Sequence, residues 1–109
     1  MNLARIIFFT DRIDAMAAFY VRHFDLAIVT DEPEWKELDA GGCRIALHAN
    51  ARARPNGHTP KIAFKCEDVA AKRDELIANG VQMGKLWQGK ISFSDGVDPD
   101  GNAFQISSR

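Results

Sequence analysis

Basic side chains recur at alternate positions of several short apolar segments, and this spacing indicates a surface suited to binding an anion. Arg5, Arg44 and Lys61 each lie at or next to the start of such a segment, and Lys65 follows Lys61 by four residues. Because side chains of a strand alternate between its two faces, residues of equal parity share one face. Unpaired cations in a dry site would each cost several kcal/mol, so such a face must be wet, internally paired or neutralised by an anion.

The same parity brings further side chains to this face. His48 joins the cations, Ser92 and Ser94 join from the second half of the chain, and Glu37 is the one obvious acid. Apolar side chains would form the walls of a cleft above this basic floor, which suits an acidic aromatic or amphipathic small molecule. The predicted ligand-binding residues are Arg5, Ile7, Phe9, Trp35, Glu37, Arg44, His48, Lys61 and Gln105.

The elements that must position these residues follow from the apolar periodicity. Strands are predicted at 4–9, 26–30, 35–39, 43–48, 61–66, 81–85, 91–97 and 103–107, and Trp87 is placed in a loop. Helical spacing relates Ile13, Met16, Ala17, Tyr20 and Phe24 in the first half, and Val69, Arg73, Leu76 and Ile77 in the second. Asp11 is the predicted cap of the first helix, and Glu67 or Asp68 that of the second.

The second half of the chain repeats the pattern of the first. The segment 5–13 lies over 61–69 at an offset of 56, and the segment 39–47 lies over 98–106 at an offset of 59, which implies one small insertion. The order β-α-β-β-β therefore occurs twice, in modules of about 1–50 and 60–109 joined by a linker at 50–60. The predicted fold is a single α+β domain spanning 1–109.

Composition excludes several classes of protein. The chain has 109 residues, and its 14 Lys and Arg residues against 15 Asp and Glu residues give a net charge of -1, so no basic field exists to hold nucleic acid. No apolar run reaches the roughly 18 residues of a membrane span. The first residues lack the apolar core of a signal peptide, so a cytoplasmic protein is expected. The thin core of so small a domain favours a homodimer.

Three segments together resemble the vicinal oxygen chelate superfamily, which comprises glyoxalases, bleomycin-resistance proteins and extradiol dioxygenases. They are Asp11 with the helix that carries Phe19 and Tyr20, the segment 61–64 running into 67–69, and the terminal turn at 98–102. The resemblance covers essentially the whole chain. It implies two curved four-stranded sheets that form a cup, completed or paired in a homodimer.

The resemblance also implies where a metal ion would bind. The positions that carry metal ligands in such enzymes fall on Arg5 (or Ala4), Ala46, Lys61 and Gln105 in this chain. Arginine cannot be deprotonated in a protein, alanine has no donor atom, and lysine would have to lose a proton. One neutral amide cannot hold a divalent ion. No metal and no cofactor are therefore expected.

Three functions follow from these observations. The first is metal-independent binding of an anionic or amphipathic small molecule, as in bleomycin-resistance proteins. The second is a metal-dependent lyase or dioxygenase that uses His48, Glu37 and Gln105, which requires a strand register shifted by one residue. The third is a non-catalytic dimeric interaction module whose cup is filled by its own side chains.

Overall fold

Two successive β-α-β-β-β segments make up the chain, as the repeat predicts. A computed structural model describes residues 1–49 and 60–109, so most of the predicted linker, residues 50–59, lies outside the described part. The chain divides into one compact unit of residues 5–60 and another of residues 1–4 and 61–109. Because Asn2 accepts a hydrogen bond from the Lys65 amide at 3.1 Å, the first residues belong with the second half.

The first module contains four strands and one helix. They are β1 (Leu3–Thr10), α1 (Ile13–Phe24), β2 (Ala27–Asp31), β3 (Trp35–Asp39) and β4 (Arg44–Ala49). The strands are arranged in the order β2-β3-β4-β1, with β1 parallel to β4 and the other neighbours antiparallel.

The second module has the same arrangement. It contains β5 (Lys61–Lys65), α2 (Val69–Ala78), β6 (Met83–Trp87), β7 (Phe93–Val97) and β8 (Ala103–Ser107). Its strands run in the order β6-β7-β8-β5, again with the first and last strands of the module parallel. The α+β fold is therefore confirmed.

Helix α1 packs on the sheet face opposite to the predicted basic face. Ala17 is buried against Leu38 of β3 and Leu47 of β4, and both leucines are inaccessible to solvent. The other residues at the predicted helical spacing, Ile13, Met16 and Tyr20, pack against this cluster. Phe24, the last predicted residue of that face, is exposed. The helix ends there, since Asp25 adopts a left-handed conformation and its amide bonds back to the Val21 carbonyl.

The two helices begin differently. Asp68 caps α2, since its carboxylate accepts a hydrogen bond from the Ala71 amide at 2.9 Å. The predicted cap of α1, Asp11, is wrong, because the N-cap residue is Arg12 and makes no side-chain cap bond. Instead the Arg12 amide donates to the Thr10 hydroxyl at 3.0 Å, which turns the chain from β1 into the helix.

The correspondence between the modules needs two insertions, not the one predicted. The second strands begin at Ala27 and Met83, an offset of 56, whereas the third strands begin at Trp35 and Phe93, an offset of 58. The last strands are offset by 59. The second module therefore has two more residues between its second and third strands and one more in its last hairpin.

Four predicted boundaries are wrong in the second module. Strand β5 ends at 65 instead of 66, β6 runs from 83 to 87 instead of 81 to 85, and β7 begins at 93 instead of 91. Trp87 therefore lies in a strand and not in the predicted loop. Among the described residues, no helix is long and apolar enough to cross a membrane.

Candidate functional site

One face of the first module carries the residues that the parity argument brings together. The register of β1, β4 and β3 aligns three rows across the strands, and each row contributes to the same face. The rows are Arg5–Arg44–Asp39, Ile7–Ala46–Glu37 and Phe9–His48–Trp35. The seven residues predicted from the first module therefore share one face, and their binding a ligand stays a prediction.

Glu37 is the centre of this face and has no exposure to solvent. Its Oε1 accepts a hydrogen bond from Arg44 Nη1 at 3.1 Å and lies 3.6 Å from Arg5 Nε. Its Oε2 accepts a 2.7 Å hydrogen bond from the Trp35 indole. Below we call Arg5, Trp35, Glu37 and Arg44 the Glu37 cluster. The cluster offsets the desolvation of the buried carboxylate with two guanidinium groups and one indole.

The two arginines of the cluster differ in exposure. Arg5 is buried, whereas 48% of the Arg44 side chain is exposed. Asp39 lies opposite Arg44, and its Oδ1 accepts a hydrogen bond from the Gly41 amide in the hairpin. Since a guanidinium has five N–H donors, Arg44 can hold Glu37 and still present donors to solvent.

An aromatic row lies beside the Glu37 cluster. The His48 ring contacts Phe9 on one side and Trp35 on the other, with ring centroids 5.6 and 5.4 Å apart. A cavity of about 320 Å³ opens where β1 turns into α1, and Phe9 contributes to its lining. The Trp35 indole connects this row to Arg44, because both side chains donate to the Glu37 carboxylate.

The corresponding face of the second module carries different side chains from those predicted. Ala63, Gln105 and Asp95 form one row across β5, β8 and β7. The predicted placement of Ser94 on this face is wrong, because Ser94 pairs with Ile106 and its hydroxyl donates to the Gly84 carbonyl at 3.2 Å.

Asp95 is the acid that the sequence argument missed. Lys61 Nζ lies 3.2 Å from both of its carboxylate oxygens, and Gln105 Nε2 donates to Oδ1 at 3.0 Å. Below we call Lys61, Asp95 and Gln105 the Asp95 cluster. Its acid and its first-strand cation are more exposed to solvent than those of the Glu37 cluster. The exposed fractions are 46% for the Asp95 side chain and 16% for Lys61, against 0% for Glu37 and 4% for Arg5.

A cavity of about 290 Å³ adjoins the Asp95 cluster. Lys61 and Asp95 contribute its polar lining, and Met83, Val97 and Ala103 contribute apolar surface. The expected excess of cations is therefore reduced in both modules, because each carboxylate holds a cation of the first strand.

The four positions at which the resemblance implies metal ligands do not fit a divalent ion in this chain. Arg5 and Lys61 are engaged with carboxylates, Ala46 has no donor atom, and the Gln105 amide donates to Asp95. Within residues 1–49 and 60–109, no three His, Cys, Asp or Glu residues are placed to hold a metal ion. The alternative ligand Glu37 already accepts from Trp35 and Arg44.

Comparison with known proteins gives one family. The profile described as the Glyoxalase/Bleomycin resistance protein/Dioxygenase superfamily matches residues 2–106. No curated protein matches the sequence.

Several solved structures share the fold at low identity. A structure described as NAD-dependent benzaldehyde dehydrogenase from Legionella pneumophila is 18% identical, with a TM-score of 0.79 over 94% of this chain and 96% of that one. Methylmalonyl-CoA epimerase from Mycobacterium tuberculosis is 15% identical, with a TM-score of 0.76 over 97% and 86%. A glyoxalase/bleomycin resistance protein/dioxygenase superfamily member from Vibrio splendidus 12B01 is 15% identical, with a TM-score of 0.71 over 94% of each chain. Identities this low establish the fold alone.

Proposed function

Because the chain belongs to the Glyoxalase/Bleomycin resistance protein/Dioxygenase superfamily, we propose that it is a metal-independent small-molecule-binding protein of that family. Its ligand is a small anionic or amphipathic molecule, bound at the face that carries the Glu37 cluster. Fold likeness by itself does not select a ligand or a reaction, so the proposal rests on the chemistry of that face.

The observation that carries the proposal is the pairing of two guanidinium groups with one buried carboxylate. Glu37 neutralises one positive charge, and Arg5 is too buried to reach a solvent counter-ion. Arg44 is half-exposed and keeps donors in the planar geometry that suits a carboxylate or phosphate. An incoming anion would therefore meet Arg44, whose exposed donors remain beyond the one that bonds Glu37.

The surroundings of Arg44 favour a ligand with an apolar part. Trp35 is fixed by its hydrogen bond to Glu37, and His48 and Phe9 continue the aromatic surface beside it. A small number of oriented polar groups beside apolar side chains is typical of ligand sites. An amphipathic anion would place its charged group at Arg44 and its apolar part on this row.

A titration monitored by nuclear magnetic resonance tests the proposal. Octanoate, benzoate and inorganic phosphate are added separately to the labelled full chain, and the signals of the Arg44 Nε–H and the Trp35 indole N–H are followed. We expect octanoate to shift both signals and Arg44→Gln to weaken its binding about tenfold, since hydrogen bonds to charged groups are worth about 1.5–3 kcal/mol. Octanamide, which lacks the charge, should bind more weakly.

Arg22→Gln is the matched control, because it removes the same charge from the exposed end of α1. It should leave octanoate binding unchanged. If none of the three anions shifts the Arg44 or Trp35 signal, or if Arg22→Gln weakens binding as much as Arg44→Gln, the proposal is wrong.

Metal independence is tested by thermal unfolding with Zn²⁺, Ni²⁺, Mn²⁺ and Fe²⁺ added singly, with and without chelator. A specific site filled at a hundred times its Kd would add about 2.7 kcal/mol and raise Tm by several degrees. We expect no ion-selective shift, because the donor set consists of cations and engaged amide and carboxylate groups. A selective rise that chelator reverses would favour the metal-dependent lyase or dioxygenase instead.

A further inference from the structure

Trp87 and Phe93 form an aromatic pair on β6 and β7, the two strands of the second module that are farthest from β5 in its strand order. Their rings stack with centroids 6.0 Å apart and planes inclined by only 15°. Trp87 lies on the edge strand β6 and exposes 51% of its surface. Large aromatic side chains normally bury most of their area, and here half of the indole on this edge strand is available to a ligand.

Positive charge accompanies this aromatic pair. Lys85 Nζ lies 4.3 Å from the centre of the Trp87 ring, which is a cation–π contact. Lys65 shares the row of Phe93 through Ser107, and therefore the same face. The acid of β7, Asp95, is already held by the other two members of its cluster.

We propose that Trp87, Phe93 and Lys85 form a binding site for a planar aromatic carboxylate. The ligand ring stacks on the exposed indole, for which an offset parallel arrangement is favourable. Lys85 is exposed, and its flexible stem allows the ammonium to move from the ring to a carboxylate at the ring's edge. This site shares no residue with the Glu37 cluster, so it goes beyond the proposed function and stands or fails independently of it.

The chemistry of the site predicts an order among three probes. 2-Naphthoate offers both a planar ring and a negative charge and should bind best. 2-Naphthamide keeps the ring without the charge, and cyclohexanecarboxylate keeps the charge without the planar ring. Each should bind more weakly, because one of the two recognised features is missing.

The two tryptophans make the test specific, since the chain contains only Trp35 and Trp87. Their two indole N–H resonances are assigned with Trp35→Phe and Trp87→Phe, and the full chain is then titrated with 2-naphthoate. We expect the Trp87 resonance to shift on binding. Trp87→Leu should weaken binding about tenfold, and Lys85→Met should weaken it about two- to fivefold.

Lys90→Met is the matched control, because it removes the same charge from the exposed loop that follows β6. It should leave 2-naphthoate binding unchanged. An equal loss in Lys85→Met and Lys90→Met would mean that only long-range charge is sensed and would overturn the proposal. So would equal binding of cyclohexanecarboxylate, or a Trp87 resonance that 2-naphthoate does not move.

A second copy of the chain is the competing occupant of this surface. In that case the Trp87 resonance would depend on protein concentration, and Trp87→Leu would reduce the sedimentation coefficient; this outcome overturns the proposal. Failure here is distinguishable from failure of the proposed function, because octanoate is followed at Trp35 and Arg44 and 2-naphthoate at Trp87.

Discussion

The two modules place equivalent side chains at the same points of the same topology but bury them to different degrees. A cation on the first strand meets a carboxylate on the third strand in both, as Arg5 with Glu37 and as Lys61 with Asp95. Glu37 is inaccessible to solvent, whereas 46% of the Asp95 side chain is exposed. The repeated fold therefore fixes the partners, and burial differs between the two copies.

This difference shows how burial sets the number of partners that a carboxylate needs. Glu37 has two guanidinium groups and an indole around it, because a charge removed from water is tolerated only with close compensation. Asp95 keeps part of its hydration, so one lysine and one amide suffice. Arginine accompanies the buried acid and lysine the wet one, in keeping with the weaker hydration of guanidinium.

Side-chain volume on the opposite face also differs between the modules. Leu38 is fully buried against α1, whereas Gly96 occupies the equivalent position of β7. A Cβ on Gly96 would lie 2.6 Å from both Met83 Sδ and Phe104 Cζ. In the second module the neighbouring strands therefore supply the volume that Leu38 supplies in the first.

The largest expected effect is that of Glu37→Gln. It preserves shape but removes the carboxylate charge that faces the buried Arg5, so the free energy of unfolding should fall by about 3–5 kcal/mol. Urea denaturation followed by circular dichroism measures this loss. A loss below about 1 kcal/mol would mean that water reaches the cluster and that the two modules are alike.

Leu38→Ala should destabilise the protein by about 2–5 kcal/mol, because it opens a cavity against α1. Gly96→Ala should cost less, about 1–3 kcal/mol, because the added methyl group crowds side-chain atoms that can partly shift. The same denaturation experiment compares them. Adding Phe104→Leu to Gly96→Ala should recover part of the lost stability, because it removes ring atoms that crowd the new methyl group. If it does not, Phe104 does not fill the space beside Gly96.

Asp95→Asn should change the free energy of unfolding by about 1 kcal/mol or less, because its pair with Lys61 is partly exposed. The effect should shrink at high salt, which screens exposed charges, whereas the Glu37→Gln effect should persist. Denaturation at low and high salt tests this contrast. A salt-independent loss as large as that of Glu37→Gln would remove the distinction between the clusters.

The smallest effects on stability are expected from changes of pH. Alkaline pH should affect the first module through Lys36, and acid pH should affect the second module through Asp98. A hydrogen bond to Asp31, with the nearby charge of Asp14, raises the pKa of Lys36, so its contribution is present below pH 10.5 and is lost as pH rises through the raised pKa. Hydrogen bonds from Asn102 lower the pKa of Asp98, so its contribution is present above pH 3.8 and is lost as pH falls through the lowered pKa. Thermal unfolding of Lys36→Met across alkaline pH and of Asp98→Asn across acid pH should show flatter profiles than the parent. Unchanged profiles would contradict the assignment.

Apolar alternation was sufficient for most of the first module. Strand β3 occupies the predicted residues 35–39, and the face shared by Arg5, Glu37 and Arg44 follows from parity alone. The pattern is reliable there because one face packs on α1 through Leu38 and Leu47 and selects apolar residues.

The same rule failed in β7 for a physical reason. Ser94 and Gly96 are small, so they do not resemble core residues, yet they lie on the side that pairs with Ile106 and Phe104. Phe104 fills that side, and small residues on β7 accommodate it. The acid of the opposite face, Asp95, was missed in consequence. The repeat could have identified Asp95. Aligning the two modules with two additional residues before β7 places Asp95 at the position of Glu37.

The sequence alone determined the repeated β-α-β-β-β order, the α+β fold, the family resemblance and the presence of Arg, Ala and Lys at three of the four strand positions where the resemblance places metal ligands. These follow from local periodicity and from the chemistry of single side chains. Only the tertiary structure decided that Glu37 is buried while Asp95 is wet, and that Trp87 stays half-exposed on an edge strand. Burial and pairing depend on neighbours from other strands, and no local pattern records which neighbour fills a given volume.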